Sequence, residues 1–456
     1  MTNINSQDKK TVKRKFNMPA PMIIILGFFA AIIIGSILLS LPFAASEKLS
    51  YFDLLFTAAS TVCVTGLSVV NVAQSFTLFG QIVILLLIQI GGLGIMSAAT
   101  LVFIFLGKKI TLKDRLTLSE SYNQQSLQGV VRLTLIIALY TLVIEFSGAA
   151  LLSFYFINRY GFIKGLYYAV FHSVSAFCNA GISLVDFSDS AYSGNIIINL
   201  SLMSLVFLGG LGFSVMRELF TKRKGKYSFQ TKAVLITSIT LILSSTLLFM
   251  AAEWSNPKTL GGYNFFDKLL RAFSQSVTLR SAGFNLTQPD NLSDAGIIIS
   301  MINMFIGASP ASTGGGIKTT TAFLLIILLI HGLKGNEKEL NVYGNSIPSK
   351  TVSKAVTFFI YSLIMIIAFT FAILLIESGN TEITLKSTIF ETVSAFSTVG
   401  LSLGITAKLS ALSRILIIIL MLAGRLGFLI LAVMIINRKQ NENVTIKYPE
   451  VSVMIG

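Results

Sequence analysis

Thr61-Val62-Cys63-Val64-Thr65-Gly66 is a polar, β-branched run closed by glycine, and it lies between two long apolar segments. Backbone of this kind cannot face lipid, where its amide and carbonyl groups would have no partners, so it is expected inside protein or beside water. Such a run offers a row of carbonyl oxygens that can replace the water around a bare cation. One loop alone reads better as an ordinary connection. The reading gains weight because related loops return three times, at 176–181 (AFCNAG), 278–283 (TLRSAG) and 395–400 (AFSTVG).

Aligned on their last glycine, the four loops share more than that residue. Three positions before it stand Cys63, Cys178, Arg280 and Ser397, and a large apolar residue follows it each time: Leu67, Ile182, Phe284 and Leu401. A short amphipathic stretch precedes each loop, and a long apolar segment precedes that. A second apolar segment follows, with its glycine cluster 25, 28, 24 and 24 residues beyond the loop glycine. Repeats of this length indicate a recurring structural unit. The expected fold is an all-α polytopic membrane protein with four span–half-helix–loop–span units around one central pore. Its boundaries are a basic tail at 1–18, units at 19–106, 131–220, 232–330 and 353–437, and a second tail at 438–456.

The composition agrees. Of 456 residues, 54% are hydrophobic and only 12% charged, too apolar for a soluble domain. The net charge of +15 does not point to nucleic acid. With eight spans and both termini cytoplasmic, the cytoplasmic parts carry 23 Lys/Arg against 8 Asp/Glu, and the outer parts 10 against 11. That asymmetry is the one the positive-inside rule describes. The basic connections are also suited to anionic membrane lipid. Two cysteines and two histidines provide neither a disulfide framework nor a zinc or haem pattern. An intramembrane enzyme would need clustered acids, a Ser/His pair or metal ligands within the spans, and none is apparent in the sequence.

The residues expected to line the ion sites are Val62, Cys63, Val64, Thr65 and Gly66; Asn179, Ala180 and Gly181; Ser281, Ala282 and Gly283; and Thr398, Val399 and Gly400. None is acidic. A carboxylate ring suited to divalent cations is therefore not expected, and carbonyl coordination of a large monovalent cation, potassium first, is expected. Because only the first loop carries the full Thr-Val pattern, weaker selectivity is expected than from a symmetric ring. Arg280 is expected to turn into the supporting protein or to face the outer vestibule. Outer Asp53, Asp186, Asp189, Asp290 and Asp294 are candidates for concentrating cations.

In the third unit, Gly, Ser, Pro and Thr interrupt the second apolar segment. The interruption includes Gly307, Ala308, Ser309, Pro310, Ser312, Thr313, Gly314, Gly315 and Gly316, with Lys318 just after it. Such backbone at membrane depth must line a cavity or be buried. Lys318 and Arg425 are intramembrane charges, a signal of function by default. Arg425 occupies the equivalent place in the fourth unit and is expected to bond carbonyls of this loop and hold it closed. Glu145 leaves open an ion-coupled alternative, a sodium- or proton-linked secondary transporter with alternating access. Such folds usually pair two inverted halves, which four same-direction units do not. Gly314–Thr319 lacks the spacing and the preceding strand of a phosphate-binding loop.

The four loops, the doubled glycines and Gly307–Thr319 (GASPASTGGGIKT) resemble the Trk/Ktr/HKT superfamily of potassium transporters over residues 19–437, most of all the bacterial Ktr-type membrane subunit. The resemblance implies potassium uptake across the plasma membrane through a channel-like pore. It makes Gly66, Gly181, Gly283 and Gly400 filter glycines and 307–316 an intramembrane gating loop. It further implies sodium as a candidate stimulating ion, a homodimer, and a cytosolic ring of nucleotide-binding regulatory subunits docked on basic connections such as 217–232 and 334–354.

Overall fold

A computed structural model describes residues 20–106, 110–121, 129–221, 227–334, 340–342 and 344–427. Both basic tails, residues 428–437 of the last apolar segment and parts of the basic connections lie outside the described residues. The chain opens with α1 (Ala20–Leu39), α2 (Tyr51–Val62), a single turn α3 (Val72–Ser75), α4 (Leu78–Leu93), α5 (Ile95–Phe105) and α6 (Leu112–Ser121). It continues with α7 (Val130–Tyr160), α8 (Phe162–Phe177), the turn α9 (Ser190–Ser193), α10 (Ile196–Gly210) and α11 (Phe213–Thr221). Next come α12 (Phe229–Glu253), α13 (Phe265–Thr278), α14 (Asp294–Phe305) and α15 (Thr319–Leu333). A small hairpin of β1 (Leu340–Val342) and β2 (Asn345–Ile347) leads to α16 (Ser349–Ile376), α17 (Leu385–Phe396) and α18 (Ala411–Leu426).

The order long helix, short helix, loop, apolar helix thus occurs four times. α1, α7, α12 and α16 are long and apolar enough to cross a hydrocarbon core. The short helices α2, α8, α13 and α17 are too short to cross. The apolar helix that follows each loop starts at a polar cap, Thr77, Asn195, Ser293 or Ser410, whose side chain accepts a bond from its first turn. In each quarter the short helix packs against its own long helix, as α1 on α2, α7 on α8, α12 on α13 and α16 on α17. The quarters are then linked in a circle: α4 touches α8, α10 touches α13, α14 touches α17, and α18 returns to α2.

Two segments expected as continuous spans are bent. α4 and α5 meet at 104°, and α10 and α11 at 103°. The breaks fall at Gly94 (φ 85°) and Gly212 (φ 89°), left-handed positions that a side chain would strain. α4, at about 1.5 Å per residue, is roughly 24 Å long and by itself falls short of a ~30 Å hydrocarbon core. The third such segment breaks over 306–318, as its glycines predict, and α18 ends at Gly427 (φ 43°).

Candidate functional site

Each short helix ends in the same local conformation. Val64, Asn179, Ser281 and Thr398, two residues before the loop glycines, all have positive φ, between 49° and 64°. Gly66, Gly181, Gly283 and Gly400 are positive as well, while the residue between is not. A β-branched valine or threonine held at positive φ is costly and persists only where the surroundings impose it. Alternating hands turn successive peptide groups the same way, with amides on one side and carbonyls on the other.

The hydrogen bonds identify the amide side. Val64 N donates to Thr61 O at 3.1 Å, Thr65 N to Ser60 O at 2.8 Å and Gly66 N to Ser60 Oγ at 3.1 Å, back toward the end of α2. The fourth loop repeats this with Thr398, Val399 and Gly400 against Ala395 O, Ser394 O and Ser394 Oγ. Asn179 and Ala180 donate likewise to Ala176 O and Ser175 O. The third loop differs slightly, since Ala282 and Gly283 both donate to Thr278 O. The carbonyl oxygens of Val64, Thr65, Asn179, Ala180, Ser281, Ala282, Thr398 and Val399 receive no donor among the described residues, although all eight residues are buried.

The four loops lie side by side and close on themselves. A Cβ on Gly66 would run into Ala180 O, one on Gly181 into Ala282 O, one on Gly283 into Val399 O and one on Gly400 into Thr65 O. All fourteen residues read from the sequence as site residues are brought together here. Arg280 turns away: its Nη2 donates to Ser238 Oγ on α12 at 3.0 Å, and the residue is 5% exposed. Of the two expectations for it, the support position is the one observed.

Residues 307–316 pack against the left-handed positions of two loops and the end of the short helix that leads into a third. Gly315 N donates to Thr398 Oγ1 at 2.9 Å, Thr313 Oγ1 donates to Phe177 O at 3.3 Å, and a Cβ on Gly314 would press on Ser281. The segment is pinned to the α10–α11 break, with Ser309 N on Gly210 O (3.0 Å) and Phe213 N on Ala311 O (2.8 Å). Internally, Ala308 N donates to Gly315 O and Ser312 Oγ to Ser309 O. Lys318 Nζ donates to Gly314 O at 2.8 Å. Arg425 donates to Thr313 O and, through Nη2, to Gly91 O at 2.5 Å. One of its two partners is therefore a carbonyl of this segment, as expected. The other is the end of α4, which the sequence reading did not foresee. A cavity of about 510 Å³ reaches Pro310, Gly314, Lys318 and Arg425 and is lined by no residue of the four loops.

Most of the remaining candidate residues have structural partners. Glu145 is buried and accepts from Gln89 Nε2 at 3.2 Å, with Cys178 Sγ 3.9 Å from its Oε1. Most of the outer acids are occupied structurally. Asp53 caps α2 and pairs with Arg414 at 2.5 Å, Asp294 pairs with Lys386, and Asp186 and Asp189 fasten turns. Gly91, Gly209 and Gln89 were missed as site residues. Their signal was present for two of them, since the doubled glycines were noted without a partner assigned.

The chain is similar to known cation transport proteins. A protein-family model described as "TrkH: Cation transport protein" matches residues 3–446. The chain is 39% identical over 437 residues to Ktr system potassium uptake protein B of Bacillus subtilis, covering 96% of each. It is 35% identical over 451 residues to potassium/sodium uptake protein NtpJ of Enterococcus hirae, covering 98% of this chain and 99% of that one. The crystal structure of the potassium transporter TrkH from Vibrio parahaemolyticus superposes with a TM-score of 0.72 over 92% of this chain and 86% of that one, at 20% identity, a likeness of fold. By the family model and these relatives, the chain belongs to the TrkH family of cation transport proteins.

Proposed function

We propose that this chain takes up potassium across the plasma membrane through a channel-like pore at the centre of the four loops. The observation that carries the reading is the set of eight buried loop carbonyls without donors among the described residues. Buried carbonyls are almost always paired. With the amides turned back toward the helix ends, these oxygens face the remaining direction, the ring's centre. There a weakly hydrated monovalent cation supplies what is missing. The short helices add the partial negative charge of their C-terminal ends. No acid belongs to the loops, so the selected charge is one.

Residues 307–316, with Lys318 and Arg425, serve as the gate. The segment lies between the loops and the cavity of about 510 Å³, and the two cations hold consecutive carbonyls, Thr313 and Gly314. Uptake of potassium follows from the names of the relatives, and the Enterococcus relative makes sodium a second candidate ion. A relative named as protein B of a Ktr system favours work with further subunits; the cytosolic nucleotide-binding ring and the homodimeric membrane part rest on the resemblance to the Ktr-type family. The ion-coupled alternative depended on Glu145, whose carboxyl is engaged by Gln89.

The test is rubidium uptake by purified protein in liposomes, competed by potassium and by sodium, with Gly283→Ser alongside. Potassium should compete far better than sodium in the wild type, and the variant should narrow that difference by tenfold or more. Equal competition by both ions in the wild type, or unaltered discrimination in the variant, would sink the reading.

A further inference from the structure

The supports behind the four loops differ. Three residues before each glycine, Cys63, Cys178 and Ser397 are buried and uncharged, while Arg280 places a guanidinium behind the third loop. That guanidinium donates to Ser238 Oγ at 3.0 Å, and its Nε has no partner among the described residues. No carboxylate among the described residues lies within ion-pair distance of it. Burying a cation without a carboxylate costs stability, and the partial negative charge at the end of α13 offsets that cost only in part. Arginine does not escape the cost by losing its proton. A residue held under those terms, in a stretch whose other three copies are neutral, calls for a reason outside folding.

Its position supplies one. Arg280 is the residue immediately before Ser281, about 3.8 Å away from Cα to Cα, so its charge lies no farther from the third loop than its own side chain reaches. A fixed positive charge at that range raises the energy of any cation held by the carbonyls. A site that conducts must bind weakly enough to let go. We propose that Arg280 is an affinity-setting residue, whose buried charge weakens the ring's hold on its cation and so speeds release. The proposal rests on the reading of the ring as the ion site.

The test uses rubidium uptake into liposomes by the whole chain, reading the half-saturating concentration and the maximal rate separately. Two variants remove the local charge by different routes: Arg280→Gln deletes it, and Ser238→Asp places a carboxylate against it. Both should lower the half-saturating rubidium concentration about three- to tenfold, the range expected for one unit charge roughly 10 Å away in a medium of intermediate dielectric. The maximal rate should fall at the same time. Arg280→Lys keeps the charge and should restore the wild-type value. Ser238→Ala removes the contact but not the charge and should leave it unmoved.

An unmoved half-saturation in Ser238→Asp overturns the proposal even where Arg280→Gln fails to fold. So does a Ser238→Ala variant that behaves like Arg280→Gln, which would make Arg280 a strut. Gly283→Ser, measured in potassium–sodium competition beside these, separates the two failures. Altered discrimination there with unmoved affinity in the charge variants removes only the role of Arg280, whereas unaltered discrimination removes the ion-site reading itself.

Discussion

The third quarter of the molecule and the other three solve the same packing problem differently. In the first, second and fourth, a glycine of the helix after the loop lies flat against the last carbonyl of the short helix: Gly91 on Val62 O, Gly209 on Phe177 O and Gly424 on Phe396 O. A side chain at any of them would occupy the carbonyl's place. In the third, the corresponding Gly307 faces Gly315 O, inside its own segment. α14 stops after 12 residues, and the chain folds back under the loops before α15 begins. Three quarters therefore use glycine to fasten a helix to the ring, and one uses it to build a separate, internally bonded element. Rigid support and a movable part can arise from the same repeated sequence when one copy exchanges an intersegment contact for a local one.

Substitution at the two kinds of glycine tests that contrast with the largest expected effect. Gly424→Ala sets a methyl group against the Phe396 carbonyl, and neither backbone can yield without displacing α18 from α17. Overpacking of this sort costs about 1–3 kcal/mol or more, and rubidium uptake should fall at least tenfold together with thermal stability in detergent. Gly307→Ala should instead alter the rate of uptake while potassium–sodium discrimination stays as in the wild type. Equal loss of discrimination in both variants would break the distinction.

Arg425→Ala comes next. It frees Thr313 O and Gly91 O together, so uptake should rise several-fold with discrimination unchanged; unchanged flux would remove Arg425 from the gate. Asp53→Asn tests the rigid side. The Asp53–Arg414 pair joins the first quarter to the fourth and is only 17–18% exposed in its side chains. Losing it should cost about 1–3 kcal/mol, read as a lower melting midpoint with little change in half-saturation. Asp294→Asn should do least. Its pair with Lys386 is largely exposed, at 51% and 84%, and is worth under about 1 kcal/mol.

Much of this was legible along the chain. The four loops carry glycine at the positive-φ position and small or apolar neighbours around it, and the long apolar helices need no partner to be recognised. Arg425 and Lys318 stood out because charge is rare in such segments. The bends at Gly94 and Gly212 were less legible, since a glycine within an apolar run is tolerated in many helices and only its packing decides whether the run breaks. The duty of Asp53 could not be read at all, because Arg414 lies 361 residues away.

The sequence by itself determined that the chain is helical, membrane-embedded in character and fourfold repeated, with an acid-free, carbonyl-rich loop in every repeat. Those properties depend on composition and on spacing within about a hundred residues. Only the tertiary structure decided that the four loops meet edge to edge, that Arg425 ties the α4 end to the third quarter's segment, and that Arg280 lies buried against Ser238. Each of those facts joins groups on different helices. Their meeting is governed by close packing of backbone on backbone, which a linear pattern of residue types does not encode.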